Sequence, residues 1–260
     1  MVMEHSIVSR RSLLRLAAVT GLTAAVLPYV HADQARAADN ACNPGPCPIS
    51  GFENSRPATP KEALTALEQG NQRWYDFDPQ HPDQCEDYLK KCSAVAQKPF
   101  AAILSCADSR VPPELLFDLG VADLFVARVA GNSAVPITED SLAYGTEHLG
   151  ASALLVLGHS DCGAVTAAVK SFNPYFSEPT YAFEPPIYPA VRAARKIVRN
   201  EGGDPDNPTV VTPIAIDQHV ILTTQALRSR EPFKDLVRDN KLLVKGGRYD
   251  LRKLTVTILI

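Results

Sequence analysis

The chain has 260 residues, 45% of them hydrophobic, and carries 26 Lys and Arg against 29 Asp and Glu for a formal net charge of −3. That length and apolar share suit one sizeable α/β core or at most two small domains. A near-neutral balance without basic or acidic runs argues against nucleic acid as a partner.

In chain order, the first segment reads as an address rather than as fold. Ser9-Arg10-Arg11-Ser12-Leu13-Leu14-Arg15 is a twin-arginine stretch, and an apolar run from Leu16 to Val30 follows it. Ala35-Arg36-Ala37 then offers small residues to a signal peptidase. Together they predict a Tat-type export signal over 1–37, cleaved after Ala37, and a mature protein in the periplasm or outside the cell. The competing reading is an N-terminal membrane anchor. The shortness and moderate hydrophobicity of the run, and the cleavage site after it, favour a signal with no stable anchor left after cleavage.

Residues 38–58, rich in Pro, Gly and Asn, read as a linker or arm, and a single domain is expected over 59–260. Thr59 and Glu62 have capping-box spacing with Pro60 between them, and Gly70 suits a helix end. Phe100 to Leu104 is a short apolar run typical of a strand buried on both faces, as are Leu124 to Val129 and Ala153 to Leu157. Thr138 is placed to cap a helix that Gly150 stops, and Ala164 to Lys170 predicts another. Ser171 to Pro189 reads as an ordered loop. Helices are expected over Ala190–Asn200 and Asp217–Arg228, and a terminal hairpin over Leu242–Ile260. Strands alternating with helices predict an α/β fold with a mostly parallel central sheet flanked by helices.

The six cysteines fall into two groups. Export to an oxidising compartment permits disulfides among Cys42, Cys47, Cys85 and Cys92, with Cys42–Cys47 and Cys85–Cys92 equally conceivable. Cys106 and Cys162 differ because polar residues surround them. Ser105-Cys106-Ala107-Asp108-Ser109-Arg110 follows one apolar run, and Gly158-His159-Ser160-Asp161-Cys162-Gly163 follows another. Ligands of open parallel sheets bind just beyond the carboxyl ends of the strands, so both clusters are expected at one edge. Two thiolates and an imidazole suit zinc, and three protein ligands leave a fourth position open for chemistry. Spacing alone leaves two rivals: a buried apolar Cys, and a Cys–His nucleophilic pair with His159 as base. Asp108 and Arg110, two apart, are expected to project to the same side of an extended segment, and they favour the catalytic reading, because an Arg that orients a carboxylate beside a metal-bound water is useful.

At these residues the chain resembles the β-class carbonic anhydrases. SCADSRVPPE is similar to their first metal motif and GHSDCGA to their second. The likeness extends through QGNQRW, AQKPFAAILSCADSRVPPELLFDLGVADLFVARVAGN, TEDSLAYGTEHLGASALLVLGHSDCGAV and LLVKGGRYDL, covering most of Thr59 to Ile260. It implies one zinc per chain on Cys106, His159 and Cys162, with an Asp108–Arg110 dyad beside a zinc-bound hydroxide that hydrates CO2 reversibly to bicarbonate and a proton. It also implies substrate contacts from Gln97, Phe125, Ala130, Tyr144 and the backbone at Gly163. The implied fold adds an antiparallel strand to the parallel sheet, and the implied assembly is a homodimer or homotetramer with sites near the interface. If Arg110 released Asp108, that carboxylate would be free to take the fourth zinc position, as in some members. Ala107, Ala130, Ala164 and Ile103 depart from common family residues; Ile103 replaces a Trp of members regulated by a second bicarbonate site. Two alternatives stay open on the sequence: hydrolysis of CS2 or COS on the same scaffold, and a non-catalytic zinc-binding assembly protein.

Overall fold

The computed structural model describes residues 56–84, 86–90, 97–173, 175 and 179–260. The expected export signal, nearly all of the arm, and Cys42, Cys47, Cys85 and Cys92 lie outside the described residues. The labelled helices are α1 (Pro60–Tyr75), α2 (Pro136–Ala143), α3 (Gly163–Ser171), α4 (Tyr188–Asn200), α5 (Pro208–Ser229) and α6 (Phe233–Arg238). The strands are β1 (Ala101–Cys106), β2 (Leu124–Val129), β3 (Ala153–His159), β4 (Leu243–Asp250) and β5 (Thr255–Ile258). They form one sheet in the order β2-β1-β3-β4-β5. The first three neighbour pairs are parallel, and β4 pairs antiparallel with β5, which is the expected terminal hairpin.

β1 and β3 are buried along their whole length, which is why their sequences are continuous apolar runs rather than alternating ones. Their side chains still divide by the period of two. Ala101, Ile103, Leu155 and Leu157 join one apolar layer with Leu67 of α1, Val165 of α3 and Val191 of α4. Ala102, Leu104, Leu154 and Val156 join the other, with Leu142 of α2 and Phe233 of α6. The first half of α5 (Val211, Ala215, Ile216) packs in the first layer, and its second half (Val220, Leu227) in the second.

The start of α1 follows its sequence signature. The Thr59 hydroxyl accepts from the Glu62 N–H at 3.2 Å, and the Glu62 carboxylate accepts from the Thr59 N–H at 3.2 Å. Its end does not. Gly70 lies buried inside the helix, because the chain there rides against the Phe117 carbonyl: a Cβ would sit 1.7 Å from that oxygen. The next residue, Asn71, is buried and ties three backbone groups together. Its amide nitrogen donates to Leu116 O (3.0 Å) and Leu254 O (3.4 Å), and its oxygen accepts from Val256 N (2.8 Å). Asn71→Ala is therefore expected to destabilise by about 1–3 kcal/mol for each buried group left unpaired, and a drop of several degrees in thermal denaturation checks it.

Other boundaries moved for similar reasons. Thr138 lies inside the first turn of α2 rather than capping it; its hydroxyl accepts from the Val135 N–H at 2.9 Å. Gly150 adopts φ 78° just after this helical stretch, as expected of a terminator. α5 starts nine residues before the expected Asp217: Asn207 caps it through Thr209 N at 2.9 Å, with Pro208 in the first turn. Pro213 lies within this helix, a position where proline ordinarily disfavours one. Among the described residues no helix is long and apolar enough to cross a membrane.

Candidate active site

The strand register brings the two polar clusters together. Ser105 pairs with Leu157, so Cys106 and His159 leave adjacent parallel strands within one residue of the same level. Both strands run two residues further than their apolar runs, which makes Cys106 and His159 strand-terminal. A short turn then places Cys162 as the N-cap of α3. The donor atoms of Cys106, His159 and Cys162 lie within 4.8 Å of one another, and all three residues are buried. The two sulfurs are 4.0 Å apart.

Each donor is prepared. His159 Nδ1 lies 2.9 Å from the Ser160 carbonyl, an arrangement that fixes the proton on Nδ1 and leaves Nε2 with a free lone pair. Nε2 is buried and has no hydrogen-bond partner, although it faces the sulfurs. An orphaned buried nitrogen between two thiols fits a metal ion, and a sulfur–sulfur–nitrogen donor set fits zinc. The Cys106 sulfur accepts from Gly131 N at 3.3 Å and from Asp108 N at 3.4 Å. The Cys162 thiol beside it, and then His159 and these amides, draw Cys106 down to about 4 against the opposing effect of burial. Cys162 is pushed upward by Cys106 and by burial, while the Val165 and Ala164 amides at the start of α3 pull the other way. Two thiolates so close in a buried site call for a cation to hold both.

Asp108 and Arg110 meet through a turn rather than along an extended segment. The Asp108 carboxylate accepts from Arg110 N (2.9 Å), Nε (2.9 Å) and Nη2 (2.7 Å). The Arg110 guanidinium chiefly holds the Asp108 carboxyl down at about 2, and burial opposes it. Arg110 also donates to the Asp161 carbonyl at 3.2 Å, which ties the first cluster to the second. Oδ2 of Asp108 lies 3.9 Å from His159 Nε2, so an ionised carboxylate stands at the edge of the donor triangle while Arg110 grips it.

The expected substrate residues divide. Ala130 directly precedes Gly131, whose N–H meets the Cys106 sulfur, so it flanks the triad. Gly163 is exposed at the first turn of α3, with nothing within 4 Å of where a Cβ would sit, so its backbone can be approached. Gln97, Phe125 and Tyr144 are not gathered there. Phe125 pairs with Ala102 and Val129 with Cys106; at about 3.3 Å per residue, Phe125 stands about 13 Å back along the sheet. Tyr144 packs near Phe125, ring centroids 6.2 Å apart, and exposed Gln97 precedes β1 at its far end. Ile103 is fully buried in the core layer beneath Cys106.

Several supporting residues escaped the sequence reading. Arg128 donates from Nε to the Cys106 carbonyl at 2.9 Å and from Nη2 to the Asp108 carbonyl. Ser160 N donates to Tyr249 O (2.9 Å), and its hydroxyl accepts from Leu251 N (3.0 Å), anchoring the loop between His159 and Cys162 to the end of β4. His219 reaches the Gly131 carbonyl. Its only sequence signal is a lone His within the apolar stretch AIDQHVIL. Part of the Ser171–Pro189 segment also arrives here: Ile187 Cδ1 would lie 2.7 Å from a Cβ on Gly131.

Comparison with known proteins agrees with this geometry. Residues 101–256 match the sequence profile of the family described as carbonic anhydrase. Carbonic anhydrase 2 of Mycobacterium tuberculosis is 43% identical over 114 residues, 44% of this chain and 55% of the relative. A carbonic anhydrase of Pseudomonas aeruginosa is 41% identical over 85 residues, 30% of this chain and 39% of the relative. The chain thus spans about half the length of the mycobacterial relative that it matches. Among solved structures, a Coccomyxa β-carbonic anhydrase in complex with acetazolamide superposes with a TM-score of 0.56 at 25% identity, over 76% of this chain and 86% of that one. A tetrameric β-carbonic anhydrase of Sordaria macrospora shares the fold at a TM-score of 0.57 and 21% identity, over 75% and 96%. The chain belongs to the carbonic anhydrase family, and its fold is that of the β class.

Proposed function

We propose that the protein is a zinc-dependent carbonic anhydrase that hydrates CO2 reversibly to bicarbonate and a proton. The observation that carries this reading is the convergence of three buried donors within 4.8 Å, with the ionised Asp108 carboxylate held at their edge. Cys106, His159 and Cys162 would hold the zinc, whose Lewis acidity makes a nucleophile of water near neutral pH. The Asp108 carboxylate accepts a hydrogen of the attacking water and so aims the oxygen lone pair at the substrate carbon. Arg110 keeps that carboxylate ionised and oriented. Ala130, next to Gly131, would offer an apolar wall, and the exposed Gly163 backbone would meet a substrate oxygen.

Asp108→Ala is expected to retain one zinc per chain and lose about 10²–10⁴-fold in turnover, the usual worth of positioned acid–base help. Metal analysis with stopped-flow CO2 hydration on the same sample checks both halves. Full activity in that variant would remove Asp108 from the mechanism, and a zinc-loaded wild-type chain with no hydration would sink the reading as a whole.

The displaced position of Gln97, Phe125 and Tyr144 supports an oligomer. A second copy of the chain would bring these three residues to the triad of the first, completing a pocket that one copy leaves open. β2 is an edge strand, and Tyr144 and Ile137 beside it are 49% and 73% exposed, as an interface would require. Sedimentation should therefore give a dimer or a higher even-numbered assembly; a fully active monomer would contradict this. We also propose that the chain is exported to the periplasm through its twin-arginine segment. That route carries folded proteins, so zinc bound beforehand would keep Cys106 and Cys162 out of disulfides with the other cysteines.

A further inference from the structure

The turn after β2 is held in an unusual shape. Gly131 has φ 73° and the next residue, Asn132, has φ 45°, left-handed values that a non-glycine residue seldom adopts. Both residues are buried. Such a conformation persists only where its surroundings over-determine it. On one side, Gly131 N–H meets the Cys106 sulfur at 3.3 Å. On the other, the Gly131 carbonyl meets His219 Nε2 at 2.8 Å, and the Ser133 hydroxyl lies 3.2 Å from the same nitrogen. A carbonyl oxygen is only an acceptor, so Nε2 carries the proton and donates. His219 is 3% exposed, at the middle of α5. Burial pushes its imidazole down to about 4, so the ring is neutral.

We propose that His219 is a positioning residue for the metal centre: by clamping the Gly131 carbonyl, it fixes the turn that aims the Gly131 N–H at the Cys106 sulfur. The two contacts fall on successive peptide planes of one left-handed turn, so losing the clamp lets the N–H swing away from the thiolate. An N–H bond to a metal thiolate draws charge from the sulfur, and partners of this kind tune both the affinity and the acidity of the metal. The hydrogen-bond partners of the ring are the Gly131 carbonyl and the Ser133 hydroxyl, not the three donors. This role rests on the zinc reading of the site.

The test uses three substitutions in the full chain. His219→Leu removes the donor, and its zinc dissociation constant is expected to rise about 10–100-fold, the usual effect of losing a partner to a metal ligand. In the cobalt-substituted protein, the sulfur-to-cobalt charge-transfer band should shift, a change that loss of packing alone would not produce. His219→Gln presents an amide N–H at nearly the same reach and should restore both readings. His219→Asn, one bond too short, should behave as His219→Leu does, and it serves if the leucine variant does not fold. A folded Leu or Asn variant with wild-type zinc affinity and an unshifted band overturns the role while leaving the zinc reading intact. A wild-type chain that takes up no zinc overturns both.

Discussion

Cys162→Ser is expected to yield a folded protein that loses its zinc and, with it, CO2 hydration. The binding free energy of a structural zinc site is about 10–16 kcal/mol, so one of three protein ligands carries several kcal/mol. Exchanging a soft thiolate for a hydroxyl should raise the dissociation constant by about 10³-fold or more. Three features of the structure make Cys162 the sensitive choice. It is the N-cap of α3, its sulfur lies 4.0 Å from that of Cys106, and it is 2% exposed, so no surface water can substitute without rearrangement. The fold should survive, because serine differs little in volume and suits an N-cap. Metal analysis of the dialysed variant decides the matter: one zinc per chain at wild-type affinity would remove Cys162 from the ligand set. Circular dichroism should separate loss of metal from loss of fold.

Gly70→Ala should have the largest effect on stability among conservative changes outside the site. Alanine is ordinarily the better helix former by about 1 kcal/mol. Here the new Cβ would stand 1.7 Å from the Phe117 carbonyl oxygen and 2.7 Å from its carbon, and backbone cannot swing aside as a flexible side chain can. α1 would have to lift from the segment that carries Phe117, opening the layer in which Leu67, Leu116 and Phe117 are each 1% exposed. A cost of about 3 kcal/mol or more follows, at the upper end for overpacking. Gln69→Ala, the exposed neighbour on the same helix, is the control and should fall within about 0.5 kcal/mol of wild type. Denaturant unfolding of the pair tests the claim; equal stabilities would mean that the helix can shift freely.

The same glycine shows where reading a sequence stops. Its type and its place near the end of an apolar stripe suit a helix terminator, and local chemistry offers no hint of the Phe117 carbonyl, which approaches from 47 residues away. Thr59 and Glu62 behave as their spacing predicts because a capping box is closed within four residues. β1 and β3 are legible because burial on both faces leaves a continuous apolar run, which needs no knowledge of neighbours. β2, expected to be buried likewise, is instead a half-buried edge strand with Arg128 exposed, and its β-branched and aromatic residues are what mark it. The start of α5 is not legible, because Pro213 reads as a breaker while the packing of Val211 and Ala215 keeps that first stretch helical.

By itself, the sequence determined the donor types and their places: Cys106, His159 and Cys162 just past apolar runs, with Asp108 and Arg110 two apart. Those are local facts, set by residue chemistry and by the rule that strands of a parallel sheet end in loops. Only the tertiary structure decided what lies around them. Strand register brought Cys106 and His159 to one level, and an Asx-type turn, not an extended segment, joined Asp108 to Arg110. Folding also sent Phe125 and Tyr144 back along the sheet and brought His219 beneath the Gly131 turn. These are contacts between residues far apart in the chain, and their geometry is set by how the sheet and helices pack, which no local pattern of residues encodes.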